Sequence, residues 1–203
     1  MKKITIALIM VISLIAPIQT MAESVTQNGT IIEPLEQNIE QIIDEITSEP
    51  RPINSDAIQN VKEYISEYFG NLGYDNIEYQ KFEYNDENNE NAIRHSSQAD
   101  VFLASTAEDA IVDGIGENII VTKNSSIDTT KNLIISAHYD SAEDSVGAND
   151  NGSGVAAVLE LARILKDTEI PYNIKFILFS GEEKYMLGSR WYVGKLTEDE
   201  RKQ

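Results

Sequence analysis

The segment LIISAHYD, residues 133–140, opens the pattern that decides the fold. Its apolar run at 133–137 predicts a buried strand, and a second apolar run at 174–179 predicts another. Between them, residues from about 153 to 166 predict a helix that is apolar on nearly every side apart from one polar face with Glu160 and Arg163. A strand, a buried helix and a strand form a βαβ pattern. We therefore predict an α/β fold with a mostly parallel sheet and helices on both faces.

The preceding half of the chain predicts elements that cover this unit. Apolar residues recur at helical spacing over 35–46 and again from position 54 or 55 to a glycine at 70 or 73, which predicts two amphipathic helices. Residues 77–84 alternate as a strand, with a phase slip that predicts a bulge between Tyr79 and Phe82. The Asn- and Glu-rich segment 85–98 predicts a solvated loop, and we expect its His95 to be a surface residue.

The first residues predict an exported protein. Two lysines, an apolar run over 4–16 and the small-residue end Thr20-Met21-Ala22 are typical of a signal peptide at residues 1–22. Residues 23–34 predict a polar linker, and 35–203 predict a single domain. The apolar run is shorter than the roughly 20 residues that span a bilayer, so we expect no stable membrane anchor. The expected location is secreted, extracellular.

Composition narrows the partners and the chemistry. The chain has 203 residues, 34 acidic against 16 basic, a formal charge of −18 and no cysteine. Such an acidic protein is a poor partner for nucleic acid or anionic membranes. A transition-metal site would have to use imidazole and carboxylate ligands, and His138 is one of only two histidines. The composition leaves the oligomeric state open.

Candidate site residues follow the predicted strands, where α/β proteins bind ligands. In extended chain His138 and Asp140 point to the same side, so Asp140 can accept a hydrogen bond from the ring N–H that does not bind metal. Asp150 precedes Gly152-Ser153-Gly154 and the apolar helix. A salt-bridged core histidine and a helix N-cap are the structural alternatives for these two motifs. The glycine spacing fits neither a dinucleotide-binding loop nor a Walker loop.

Glu182 and Glu183 follow the last apolar strand, directly after Ser180-Gly181. Neighbouring side chains diverge in extended backbone, so one glutamate can bind metal while the other takes a proton from water. Alone, the pair is typical of a solvated turn. Together with the two preceding motifs, in this order, it indicates a metallohydrolase.

The succession HYD (138–140), ANDNGSG (148–154), SGEE (180–183) and LGS (187–189) resembles the zinc aminopeptidase family M28 over about residues 115–203. The resemblance implies a zinc-exopeptidase-like mixed sheet, two zinc ions per complete site and peptide substrates that lose their N-terminal residues. It implies His138 as ligand of one zinc, Asp150 as the bridge and Glu183 as ligand of the other. Glu182 would be the general base and Asp140 the partner of His138.

Two further ligands of that family, an Asp after the next strand and a His much later, have no counterpart before Gln203. We therefore expect a domain that is incomplete at its C-terminus and a 203-residue chain that is inactive alone. Two alternatives follow, a non-catalytic truncated relic or binding module, and a glutaminyl cyclase, an acyltransfer relative in the same fold family.

Overall fold

The computed structural model describes residues 25–27, 30–32, 35–85 and 113–202. Six strands and four helices lie in this part of the chain. In order they are β1 (Val25–Gln27), β2 (Thr30–Ile32), α1 (Glu36–Ile46), α2 (Asp56–Asn71), β3 (Ile77–Tyr84), β4 (Gly114–Lys123), β5 (Asn132–His138), α3 (Ser153–Leu165), β6 (Asn173–Phe179) and α4 (Leu187–Lys195). A wide turn, Ala148–Gly152, leads into α3, and a short 3₁₀ turn, Glu200–Lys202, follows α4.

The main sheet is mixed, with strand order β3-β4-β6-β5, which confirms the predicted α/β class. Strands β5 and β6 are parallel, while β4 is antiparallel to both β3 and β6. The sheet is mixed, as expected, but one of its three strand pairings in the described residues is parallel and two are antiparallel, a smaller parallel share than predicted. A parallel pair needs a long crossover connection, and α3 supplies one between β5 and β6.

Helices α1, α2 and α3 cover one face of this sheet with a continuous apolar core. Phe69 of α2 packs against Phe176 of β6, with ring centroids 5.9 Å apart and both side chains fully buried. Removing either ring would cost about 3 to 5 kcal/mol. The strand residues in this core are Ile119, Val121, Ala137, Ile174, Phe176 and Leu178.

Helix α4 covers the opposite face, which confirms the prediction of helices on both sides. Ile120 and Ile177 alternate with the residues of the first face and pack against Tyr192 of α4. Strand alternation thus supplies both apolar faces of a buried sheet. Leu187 and Trp191 extend this contact to the end of β3.

Local sequence signals mark both ends of α2. Ser55 caps α2, and its hydroxyl accepts a hydrogen bond from the N–H of Ile58 at 3.1 Å. Gly73, at φ +81°, follows the end of the same helix. The predicted bulge in β3 is absent, because its register with β4 is unbroken from Ile77 to Tyr84.

Two sequence predictions concern the N-terminal region. The predicted signal peptide, 1–22, lies outside the described residues, as do His95 and most of the predicted loop 85–98. The predicted linker, 23–34, contains the strands β1 and β2, which pair antiparallel as a small separate sheet.

Candidate metal centre

The parallel pairing of β5 and β6 brings the predicted motifs together. His138 ends β5 opposite Phe179, the last residue of β6, and the N–H of Tyr139 donates to the carbonyl of Phe179 at 2.9 Å. The chain segments that follow the two strands therefore leave the sheet side by side. Their side chains form a cluster around His138.

The imidazole of His138 lies between two sets of acceptors. Its Nδ1 is 3.2 Å from the carbonyl oxygen of Asp140 and 3.5 Å from a carboxylate oxygen of the same residue. Its Nε2 is 3.0 Å from Oδ1 of Asp150 and 3.8 Å from Oε2 of Glu182. The ring is 8% exposed. Its orientation is thus fixed by Asp140 on one edge, while the other edge faces carboxylates.

Asp140 joins the two segments. Its carboxylate oxygens accept the main-chain N–H groups of Glu182 and Glu183, each at 3.1 Å, and the residue is 1% exposed. The sequence predicted a contact between Asp140 and His138, but not this anchoring of the Glu182-Glu183 backbone. One buried carboxylate therefore sets the position of both glutamates relative to the histidine.

Both glutamates reach the histidine. One ligand atom from each of His138, Glu182 and Glu183 lies within 4.8 Å of the others. Asp150, the third predicted ligand, projects from the turn before α3 with 77% of its side chain exposed and contacts His138. Imidazole nitrogen with carboxylate oxygens is a donor set that suits Zn²⁺. The residues present therefore fit a metal site.

Negative charge dominates the electrostatics of this cluster. Burial lowers the pKa of His138, but its contacts with Asp140 and the charges of Asp140 and Glu182 outweigh burial and raise that pKa to about 9. Partial burial, followed by the charge of Asp150, raises the pKa of Glu183. The cluster favours a cation at its centre, either a proton on the ring or a metal ion.

Two buried residues that support the site were missed by the sequence analysis. Arg51 donates to carbonyls of the segment between His138 and Asp150. Asn118 accepts the N–H of Ser180 at 3.1 Å, in the segment that carries the two glutamates. The available signals were an arginine between two prolines and a polar residue within an apolar strand, and neither identifies a partner.

The sequence profile of peptidase family M28 matches residues 118–203. Aminopeptidase YwaD of Bacillus subtilis is 44% identical over 94 residues, which is 46% of this chain and 21% of that protein. A vacuolar membrane protease of Schizosaccharomyces japonicus is 31% identical over 153 residues, 74% of this chain and 16% of that protein. The chain thus spans about a fifth or less of the length of these relatives.

Solved structures share the fold at low identity. A zinc aminopeptidase from Bacillus subtilis superposes with a TM-score of 0.65 at 18% identity, over 82% of this chain and 66% of that one. A glutaminyl cyclase from Fimbriiglobus ruber gives a TM-score of 0.57 at 17% identity, over 80% of this chain and 50% of that one. At such identity the two structures establish the fold alone.

The predicted secreted, extracellular location is contradicted by these comparisons. Relatives that align with about three quarters of the chain are proteases named for the vacuolar membrane, and the bacterial aminopeptidase relatives are not named as secreted proteins. No helix within the described ranges combines the length and the apolar content needed to cross a membrane. Motif order, strand-end geometry and the profile match agree: residues 118–203 of this chain match the sequence profile of peptidase family M28.

Proposed function

We propose that this protein is a metallo-aminopeptidase that releases the N-terminal residue of peptides by hydrolysing the first peptide bond at a two-zinc site. The observation that carries the proposal is the convergence on His138 of carboxylates from two separate segments: Asp150, in the turn before α3, and Glu182, after β6, lie 3.0 Å and 3.8 Å from Nε2. The match of residues 118–203, which hold these side chains, to the family M28 profile and the aminopeptidases among the similar proteins support the reaction class.

His138, Asp150 and Glu183 would hold the metal. With Nε2 as the metal ligand, the proton of the neutral ring would be on Nδ1, where both nearby atoms are oxygens of Asp140 that can accept its hydrogen bond. When bound, Zn²⁺ polarises a carbonyl and lowers the pKa of water. Asp150 would be shared by the two ions. Its carboxylate contacts His138, and because the side chain is 77% exposed it has room for a second ion.

Glu182 would be the general base. Its carboxylate is within reach of the same nitrogen, and its main-chain N–H is held by the buried Asp140. A base fixed in this way can accept a proton from the attacking water and return it to the leaving amine. Glu183, held by the other carboxylate oxygen of Asp140, remains available as a ligand.

The test is the variant Glu182→Gln, compared with Glu183→Gln in the complete natural protein. We expect Glu182→Gln to keep its zinc content and to lose turnover of an aminoacyl substrate by about 100- to 10,000-fold. Glu183→Gln should lose zinc instead. Near wild-type turnover in Glu182→Gln would show that the roles of the two glutamates are assigned wrongly.

The same assay separates the two alternatives. A peptide with N-terminal glutamine that is cyclised rather than shortened would identify a glutaminyl cyclase. Wild-type protein that neither binds zinc nor turns over either substrate would identify a non-catalytic binding module.

A further inference from the structure

Arg51, in the connection between α1 and α2, is fully buried and directs its side chain at a single loop. Nε donates to the carbonyl of Tyr139 at 2.7 Å and Nη2 to the carbonyl of Gly147 at 3.0 Å, while Nη1 donates to the carbonyl of Val146. The main chain of Arg51 is paired too, because its N–H donates to Oγ of Ser141 and its carbonyl accepts the N–H of that serine. Arg51 is thereby fastened to both ends of the segment 139–147.

The ion pairs found in the described residues do not include this guanidinium, so no described carboxylate oxygen lies within 4.0 Å of it. A buried cation with carbonyl partners alone is uncommon, because burial of a charge is expensive without compensation. Burial lowers the pKa of Arg51, and the nearby charges of Asp140 and Glu183 offset only part of this effect. The guanidinium thus lies within the field of the candidate metal centre.

The loop that Arg51 holds connects the candidate ligands. Tyr139 directly follows His138, and Gly147 lies three residues before Asp150. A guanidinium presents five donors in a rigid fork, so it can fix two distant carbonyls at once. One side chain therefore links the two ends of the loop that lies between His138 and Asp150.

Close packing leaves this fork little freedom. Gly147 has φ +58°, and a Cβ there would lie 3.3 Å from Nη2 of Arg51. A Cβ on Gly152 would lie 3.7 Å from the same nitrogen, and the N–H of Gly152 donates to the carbonyl of Gly147 at 2.9 Å. The guanidinium therefore fills the inner side of the turn from which Asp150 projects. A lysine ammonium, a single compact charge, cannot span the same acceptors.

We propose that Arg51 is a positioning residue that holds the loop 139–147 so that His138 and Asp150 reach one metal ion together. This rests on the proposed function, since it assigns both residues as ligands. Arg51 touches neither metal nor substrate in this account. Its effect is on the geometry, and hence on the metal affinity, of residues that it does not contact with its own side chain.

The experiment measures Zn²⁺ affinity by competition with a chromophoric chelator, per folded molecule, for wild type, Arg51→Lys and Arg51→Ala. We expect both variants to bind Zn²⁺ about tenfold or more weakly, the scale found when residues that orient a ligand are removed. Free guanidinium ion at low concentration should restore part of the Zn²⁺ affinity of Arg51→Ala and should leave the affinity of wild type unchanged. If Arg51→Ala fails to fold, Arg51→Lys carries the test.

The matched control is Arg163→Ala on α3. It removes an arginine that pairs with Glu160 at 2.7 Å, away from the site, and should lower stability while leaving Zn²⁺ affinity unchanged. If wild type binds Zn²⁺ and the Arg51 variants bind it equally tightly, the positioning role of Arg51 is wrong, while the proposed function still stands. Wild type that binds no Zn²⁺ would refute the proposed function and, with it, the role given to Arg51.

Discussion

Asp140 offers a strong test of the way the two halves of the site are joined, through the substitution Asp140→Asn. The native carboxylate accepts two main-chain N–H groups at 3.1 Å each, from Glu182 and Glu183, and is 1% exposed. The asparagine keeps one oxygen as acceptor and turns an NH₂ group toward the other N–H, where two donors oppose. Losing one charge-assisted hydrogen bond and leaving a donor unpaired should cost about 2 to 4 kcal/mol of unfolding free energy.

Urea unfolding of the metal-free protein measures this change as a lower midpoint with an unchanged slope. The control is Asp150→Asn, which removes the same charge from the same cluster but from a side chain that is 77% exposed. Any relief of repulsion among the carboxylates affects both variants, so their difference isolates the buried hydrogen bonds. We expect Asp150→Asn to change stability by less than about 0.5 kcal/mol. Equal stability of the two variants would refute the anchoring role of Asp140.

Four further substitutions test the stability of the fold. Gly147→Ala should destabilise by about 2 kcal/mol or more in urea unfolding, because φ is +58° and the new Cβ would lie 2.6 Å from a main-chain oxygen. Gly70→Ala, inside α2 with nothing within 4 Å of the new Cβ, should raise the free energy of unfolding by up to about 1 kcal/mol. Stability changes of the same sign in Gly147→Ala and Gly70→Ala would contradict this reasoning. Asn118→Ala should lower the free energy of unfolding by about 2 to 4 kcal/mol, since the N–H of Ser180 and the carbonyl of Gly188 lose their partner, and a loss below about 1 kcal/mol would contradict this role of Asn118. Burial raises the pKa of Glu160, but its hydrogen bond with Arg163 and two further donors outweigh burial and lower it. Its ionised form therefore stabilises the fold above the ordinary glutamate pKa of about 4.3, and this contribution is lost as pH falls through the lower folded pKa. The stability difference between wild type and Glu160→Gln should shrink over that acidic range, and a difference independent of pH would exclude the contribution.

Much of the fold follows from local pattern. Isoleucine spacing predicts α1, the break at Pro50 and Pro52 separates it from α2, and the run 133–137 predicts β5. These elements can be predicted because burial of one helix face, or of a whole strand, requires apolar residues at regular positions close together along the chain. The order of the antiparallel strands cannot be predicted in this way, since β4 pairs with strands that are distant along the chain.

The start of α4 was also unreadable, and its cause is conformational. Tyr185 and Met186 precede this helix with φ of 65° and 58°, a region that such side chains seldom adopt. No side chain caps the boundary, so nothing in the local sequence indicates that a helix begins at Leu187. Backbone strain of this kind is set by the surrounding structure rather than by local preference.

The residues of the candidate site were predictable where chemistry and position coincide. His138, Asp140 and the glutamates stand at or just after the end of an apolar strand, and in the structure they lie close together. Arg51 and Asn118 act through main-chain groups far along the chain, for example across 88 residues from Arg51 to Tyr139. Such contacts depend on tertiary structure, and no spacing in the sequence encodes them.

Anomalous diffraction at the zinc absorption edge, from crystals grown with Zn²⁺, tests the central claim most directly. The account predicts an anomalous peak about 2.0 to 2.2 Å from Nε2 of His138 and from carboxylate oxygens of Asp150 or Glu183. A second peak that shares Asp150 would support the two-zinc site. Absence of any peak at this cluster, with Nε2 of His138 still about 3.0 Å from Oδ1 of Asp150, would contradict this claim.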